Sequence, residues 1–364
     1  MRIEAAVCRE GSPVPVIETL DLEDPRPGEV RVRLVATGVC HTDLRVAGRA
    51  GGPRPIVLGH EGAGVVEKVG EGVSGFPPGQ KVLMSYAFCG ACVSCRRHAR
   101  AYCLQNGPRN FGGLRADGTS PLSKDGQPVF GVFFGQSSFA THAVCAADQL
   151  IAAPDDLPLE MLAPLGCGVQ TGAGAVLNSL KVGAGQTLAV FGTGSVGLSA
   201  VMAARAAGAA QIIAVDLNPA RLRLAFELGA TEAIDPSRTD PVAAVIELTG
   251  AGADFVLNTT DVPQVYLQGI ACLGPQGTFG FVTGSSAPLE VDLSPILLGG
   301  RRIQGIVQGD SEPQSFIPSL IALHREGRFP LERLVTAYPF KDIAAAMHAS
   351  ETGAAIKPVL IFPS

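Results

Sequence analysis

The segment Gly192-Thr193-Gly194-Ser195-Val196-Gly197 leaves the surrounding chain little freedom. It follows Leu188–Phe191, an apolar run that reads as a buried strand, and opens a helical stretch from Ser195 to Ala207. A strand that turns directly into a helix on a G-x-G-x-x-G pattern is the first half of a parallel β–α–β unit. The first glycine permits the tight turn, the second lets a phosphate approach the backbone, and the third lets the helix pack on the strand. Anions are favoured there because the N-terminus of a helix presents N–H groups without intrahelical partners. Asp216 ends the next strand, 19 residues after Gly197. A carboxylate at that place accepts hydrogen bonds from ribose hydroxyls and repels a 2′-phosphate. The pattern therefore predicts a dinucleotide site that favours NAD over NADP, a preference that Arg221 is placed to soften. A glycine turn alone is weak evidence; its place between strand and helix gives it meaning.

The alternation continues beyond the turn. Strand-like 212–216, helical 220–228, strand-like 232–235 and helical 241–248 are followed by FVLN, a further helix, GTFGFV and IQGIV. This order predicts a doubly wound parallel sheet of the Rossmann type over residues 169–307, so the fold class is α/β. Residues 1–168 read differently. VRVRLVATG, GAGVVEKVG, KVLMSYAF and THAVCAA are short β-type runs broken by Gly and Pro, which predict a mainly antiparallel β domain with long loops. From about Gln308 the alternation stops, and residues 308–364 are expected to return to the first domain.

Composition removes other classes. The 364 residues carry a net charge of -5 and no long basic run, which argues against a nucleic-acid surface. Hydrophobic residues make up 46% and charged ones 17%, enough for two large cores. Met161 to Leu180 is uncharged and long enough to span a membrane, but it is interrupted by Gly and Pro and carries Gln170, Asn178 and Ser179. The start shows no cleavable apolar segment, and the nine cysteines are odd in number, which disfavours a secreted disulfide scaffold. No membrane association and a cytoplasmic location are expected.

Four of the cysteines have another explanation. Cys89, Cys92, Cys95 and Cys103 are spaced C-x2-C-x2-C-x7-C in one polar segment. Four thiolates so placed predict a closed tetrahedral zinc site, which holds a loop and leaves no position open for chemistry. Cys40 in GVCHTD, His60 in GHEGAG and Cys167 in PLGCGVQTG lie outside that segment. Singly, each reads equally as a buried thiol or a hydrogen-bonded turn residue. Three such ligands with one open position is how catalytic zinc is held, but spacing alone does not group them.

Taken in order, GVCHTD, GHEGAG, the four-cysteine lobe, CGVQTGAG, GTGSVG with Asp216 and the terminal AIKPVLIF give a chain that resembles the zinc-containing medium-chain alcohol dehydrogenases over nearly its whole length. FFGQSSFATHAV and PLGCGVQTGAG look most like the aryl-alcohol (benzyl alcohol) branch. The resemblance implies a GroES-like catalytic domain beside the Rossmann domain and two zinc ions per chain. It assigns Cys40, His60 and Cys167 to catalytic zinc, and Cys89, Cys92, Cys95 and Cys103 to structural zinc. Glu61 lies behind the catalytic metal, and Asp43 orients the zinc-bound histidine. Thr171, Ser195 and Val196 match positions at the nicotinamide and phosphates, and His41 and Lys357 match positions near the pyrophosphate. Several relatives carry arginine at those last two positions, which weakens the expected phosphate contact here. Phe133 and Phe134 match pocket-lining positions, and Ser85 replaces a bulky aromatic. A homodimer or homotetramer is the implied assembly.

The implied reaction is reversible hydride transfer between a primary aryl or allyl alcohol and NAD, giving the aldehyde. Zinc lowers the pKa of the substrate hydroxyl, and Thr42 matches the hydroxyl that accepts its proton. Liver-type relatives end the proton relay in a histidine, where this chain has Arg45, which stays protonated and cannot act as a base. The expected route is then Thr42, the cofactor ribose and water. An aliphatic alcohol or S-(hydroxymethyl)glutathione is the alternative substrate, although Gly107 stands where the glutathione branch usually has arginine. A nucleotide-binding structural protein without activity is the more distant alternative, and it predicts loss of ligands that this chain retains. His98, His142, His324 and His348 lack ligand spacing, while Cys8, Cys145 and Cys272 read as buried thiols.

Overall fold

The computed structural model describes residues 1–49 and 51–363. It divides into two compact units. The first comprises Met1–Cys167, Glu312–Ile317 and Leu331–Ser364, and the second Gly168–Ser311 and Pro318–Pro330. The first boundary lies one residue from the expected one. The return does not occur cleanly at 308, because residues 318–330 group with the second unit. Residues 308–311 also group with the second unit, and the division falls within the helix Pro313–Arg325.

The second unit holds six parallel strands: Thr187–Phe191, Gln211–Val215, Glu232–Ile234, Ala253–Asn258, Leu273–Phe281 and Arg302–Gly305. Counted along the chain, their spatial order is third, second, first, fourth, fifth, sixth, which is the Rossmann order. The connecting helices start where the sequence provides caps. Asn218 accepts from the N–H groups of Ala220 and Arg221 ahead of Pro219–Leu228, and Asp240 accepts from Val242 ahead of Pro241–Thr249. The helix Ser195–Ala207 ends on Gly208 at a φ of 80°. Its Leu198, Ala200, Val201, Met202, Ala203 and Ala204 have no exposed surface, so small side chains bury this helix on most of its circumference.

The first unit is built on two sheets. A seven-stranded sheet centres on Glu29–Gly38, which pairs antiparallel with Gly62–Val69, His142–Ala146 and the terminal strand Lys357–Ile361. Burial alternates along Glu29–Gly38, with Val30, Val32 and Leu34 inside, and becomes continuous near its end. A five-stranded sheet holds Arg2–Cys8 between Val16–Leu22 and Ile56–Val57. Ile3, Val7, Leu20, Val30, Val32, Leu58 and Phe139 belong to one core cluster fed by both sheets.

KVLMSYAF does not remain a strand to its end, because the strand stops at Met84. Beyond it, side chains take over the backbone pairing. Gln136 and Gln149 both donate to the Ser85 carbonyl. Asn110 both accepts from Ala87 N–H and donates to its carbonyl, at 2.9 and 3.0 Å. Three buried amides thus do the work of a neighbouring strand. The uncharged stretch 161–180 is divided among short helical pieces, and no helix among the described residues is long and apolar enough to cross a membrane.

Candidate metal and dinucleotide sites

The four-cysteine lobe closes as its spacing requires. The metal-binding atoms of Cys89, Cys92, Cys95 and Cys103 lie within 4.8 Å of one another. Sulfur–sulfur distances are 3.9 Å for Cys89–Cys95, 3.5 Å for Cys92–Cys95 and 4.0 Å for Cys92–Cys103. A tetrahedron of thiolates about 2.3 Å from zinc has edges of about 3.8 Å, so the cluster is already of zinc size. Backbone N–H groups of Cys89, Cys92, Leu104 and Gln105 point at the sulfurs. Hydrogen bonds from Cys95 and Leu104 bring the Cys92 thiol down to about 6, towards the thiolate that a metal needs.

The second cluster draws its members from separate parts of the chain. Cys40 caps the helix His41–Gly48, His60 and Glu61 directly precede the strand Gly62–Val69, and Cys167 ends a short helical turn. Their ligand atoms also lie within 4.8 Å of one another, so the grouping that spacing alone leaves open is met in space. One residue arranges most of this. The fully buried Asp43 carboxylate accepts from His60 Nδ1, from Gly59 N–H and from Cys40 N–H, each at 3.0 Å. With Nδ1 bonded to Asp43, the imidazole turns Nε2 into the cluster, where that buried atom has no hydrogen-bond partner. Gln136 fixes the next peptide units by accepting from Gly62 N–H and donating to the His60 carbonyl.

The electrostatics of this cluster ask for a cation. A hydrogen bond from Cys167, together with Lys357 and His60, holds the Cys40 thiol well below its ordinary range despite burial. Burial opposes a charged His60 ring, yet Asp43 and Cys40 hold its proton well above the usual range. A cysteine–histidine–cysteine set with a carboxylate behind it suits zinc. The residues therefore fit two zinc ions, one in each cluster. Of the remaining cysteines, Cys8, Cys145 and Cys272 are buried, and all nine are free thiols.

Glu61 lies in a tightly shaped space. A Cβ on Gly38 would come within 1.9 Å of Glu61 Oε2, so only glycine leaves room for that carboxylate. The other oxygen, Oε1, accepts from Lys357 Nζ at 3.0 Å, and Lys357 also donates to the Val39 carbonyl at 3.1 Å. Lys357 is 2% exposed and Glu61 fully buried. Lys357, expected near a pyrophosphate, has its partners here within the protein. Its ammonium is engaged as the buried counter-charge of Glu61 and lies in the field of Cys40 and Cys167. Nothing local in AIKPVLIF signals this, since Glu61 lies 296 residues away.

The other expected residues are placed as follows. Thr42 is half-buried with Oγ1 3.8 Å from Cys40 Sγ. His41 and Arg45 lie on the exposed side of their helix. Phe134 stacks on the His60 ring with centroids 4.5 Å apart, and Phe133 meets the same ring edge-on at 5.6 Å. Of the three residues expected to line a substrate pocket, Phe133 and Ser85 are sealed, and Phe134 retains 7% of its surface. The Ser85 hydroxyl donates to the Gly166 carbonyl. Phe134 holds a left-handed φ of 50° beside Gly135 and Ser137 at 70° and 49°, a concentration of strained backbone typical of functional turns.

In the second unit Gly192 has a φ of 86°, and a Cβ on Gly197 would lie 1.9 Å from the Gly192 carbonyl. A Cβ on Gly194 would meet no protein atom within 4 Å, so this face of the turn is open to a phosphate. Ser195 and Val196 open the helix, and Thr171 contacts Gln308. Asp216 accepts from the N–H and hydroxyl of Thr193 at 2.6 and 2.9 Å, tying its strand end to the glycine turn. Arg221 Nη1 is 3.9 Å from the same carboxylate.

Comparison with known proteins agrees with this geometry. Residues 26–155 match the alcohol dehydrogenase GroES-like domain, and residues 195–324 match the zinc-binding dehydrogenase domain. The chain is 48% identical to a geraniol dehydrogenase of Castellaniella defragrans over 99% of its own length and 97% of that protein's. A solved alcohol dehydrogenase zinc-binding domain protein from Burkholderia ambifaria superposes with a TM-score of 0.98 at 50% identity, covering both chains completely. The benzyl alcohol dehydrogenase of Acinetobacter calcoaceticus gives 0.96 at 40%, again over the whole of both chains.

Removing one partner of the Lys357–Glu61 pair leaves the other charged and enclosed. Lys357→Met is expected to lower unfolding stability by about 3–5 kcal/mol. Adding Glu61→Gln is expected to return much of the loss. Urea denaturation of the two variants checks both numbers.

Proposed function

Because the chain belongs to the zinc-containing medium-chain alcohol dehydrogenases, we propose that it interconverts a primary aryl or allyl alcohol and its aldehyde with NAD. The observation that carries the substrate class is Phe134, which stacks on His60 and keeps 7% of its surface open, with the buried Phe133 supporting it from behind. Flat, unsaturated substrates gain most from such a surface. A geraniol dehydrogenase and a benzyl alcohol dehydrogenase among its relatives support the same choice.

Cys40, His60 and Cys167 would hold the catalytic zinc, and Cys89, Cys92, Cys95 and Cys103 the structural one. When bound, zinc supplies a Lewis acid that acidifies a hydroxyl, and NAD supplies a hydride acceptor. The protein's own part is positional. Asp43 fixes the ring of His60, and the Lys357–Glu61 pair keeps a balanced charge behind the cluster. Thr42, beside Cys40, would take the alcohol proton and pass it towards solvent. The open face at Gly194 suits a pyrophosphate, and Asp216 favours NAD over its 2′-phosphorylated form. Six thiols placed to bind zinc and three more buried ones, Cys8, Cys145 and Cys272, suit a reducing compartment such as the cytoplasm.

A homo-oligomer is part of the reading. The helix Ser294–Gly299 buries none of its residues, and Leu293, Leu297 and Leu298 are 69%, 80% and 86% exposed. Arg302–Gly305 is the edge strand of the six-stranded sheet. An apolar flank beside an edge strand favours a second copy of the chain.

Benzyl alcohol, cinnamyl alcohol and geraniol are expected to give at least tenfold higher kcat/KM than ethanol with NAD; a preference for ethanol overturns the substrate class. Thr42→Ala is expected to slow oxidation by roughly 10²–10⁴-fold and to change its pH profile, the size of a lost proton-transfer group. Light scattering is expected to give a multiple of the monomer mass, and Leu297→Lys with Leu298→Lys to shift it towards monomer.

A further inference from the structure

The three aromatic rings nearest the candidate zinc ligand differ in how much of each remains accessible. Phe133 is fully buried and Phe134 is 7% exposed. A third ring joins them that the family motifs do not include. Phe111 meets Phe134 edge-on with centroids 5.0 Å apart and meets Phe133 edge-on at 6.1 Å. Phe111 is 43% exposed. His60, Phe134 and Phe111 therefore form a ladder from a buried metal ligand to solvent, in which only the last ring offers substantial surface.

An exposed ring is often merely surface, but two observations set this one apart. Its backbone is held rigidly, because Asn110 is fully buried and binds Ala87 from both sides, while its amide nitrogen also donates to Asn106 Oδ1 at 2.6 Å. It also ends the helix Asn106–Phe111, whose lead-in residues Leu104 and Gln105 donate to the sulfurs of Cys92 and Cys103. The ring is thus fixed at its backbone by a closed zinc lobe and at its edge by the strained Phe134 turn. An aromatic with an exposed face on rigid backbone is how a binding wall is made.

We infer that Phe111 is a specificity-determining residue, the outer wall against which the ring or conjugated chain of an aryl or allyl alcohol lies. This rests on the aryl and allyl reading above and deepens it. Phe111 takes no part in hydride or proton movement. It acts by binding the part of the substrate remote from the hydroxyl.

The chain has no tryptophan, so Phe111→Trp creates a single fluorescent reporter at the proposed wall. Titrating the zinc-loaded variant in the presence of NADH, so that no hydride acceptor is present and the alcohol is not oxidised, with benzyl alcohol or geraniol is expected to change its emission intensity or wavelength. Ethanol is expected to leave the emission unchanged. In parallel, Phe111→Ala is expected to raise KM for benzyl alcohol and geraniol roughly tenfold while altering KM for ethanol less than twofold, with kcat retained for all three. Phe111→Tyr is expected to keep the parent KM values. Unchanged tryptophan emission at saturating benzyl alcohol, or an equal KM change for ethanol and the aromatic alcohol, overturns the assignment. A parent enzyme that prefers ethanol instead overturns the underlying substrate class, so the two failures are distinguishable.

Discussion

The Asp43 carboxylate is the interaction on which the catalytic cluster depends. It is fully enclosed and spends its acceptor capacity on three donors from two segments: the Cys40 peptide, the Gly59 peptide and the His60 ring. Burying a carboxylate is costly unless donors compensate it, and here the compensation also does the positioning. The same bonds that make Asp43 tolerable bring two candidate ligands, Cys40 and His60, to one point and turn His60 Nε2 towards the sulfurs. Gln136 and the Lys357–Glu61 pair extend this principle, since each satisfies a buried polar group by tying separate chain segments together.

Function in this molecule is concentrated at the ends of regular elements. Cys40 lies at a helix cap, His60 and Glu61 at a strand entrance, Asp216 beyond a strand end and Gly192 in a strand-to-helix turn. Sheets and helices supply stiff mounts, and the termini supply directions that a regular element does not offer. The strained turn at Phe134 is held by Gln149, which donates to the Phe134 carbonyl, and by Ser137, which donates to Val57. That local cost is spread over a rigid scaffold.

What was readable in the sequence follows from the range of the forces involved. The glycine turn, its strand and its helix are set by neighbours within a few residues, and the helix Ser195–Ala207 has the bounds its pattern predicts. The four-cysteine lobe is local in the same sense. Cys40, His60 and Cys167 were grouped only by resemblance, because no spacing rule links residues whose approach depends on an entire sheet. Lys357 shows the limit most clearly. Its pairing with Glu61 is made by the last strand of the unit and depends on no local motif. Gly38 gave no sign of its role, because the need for a missing Cβ arises from a side chain 23 positions later. Phe111 was also missed: aromatic identity is visible in a sequence, but its combination of anchorage and exposure is not.

The two cysteine clusters also differ in when they can exist. All four ligands of the lobe lie between residues 89 and 103, so closing it needs little loop entropy and only a short length of finished chain. The other cluster needs residue 40 beside residue 167, and its buried counter-charge arrives with residue 357, close to the end of the chain. During synthesis the lobe is able to take its metal while most of the protein is still unmade. The catalytic cluster must wait until the terminal strand has docked.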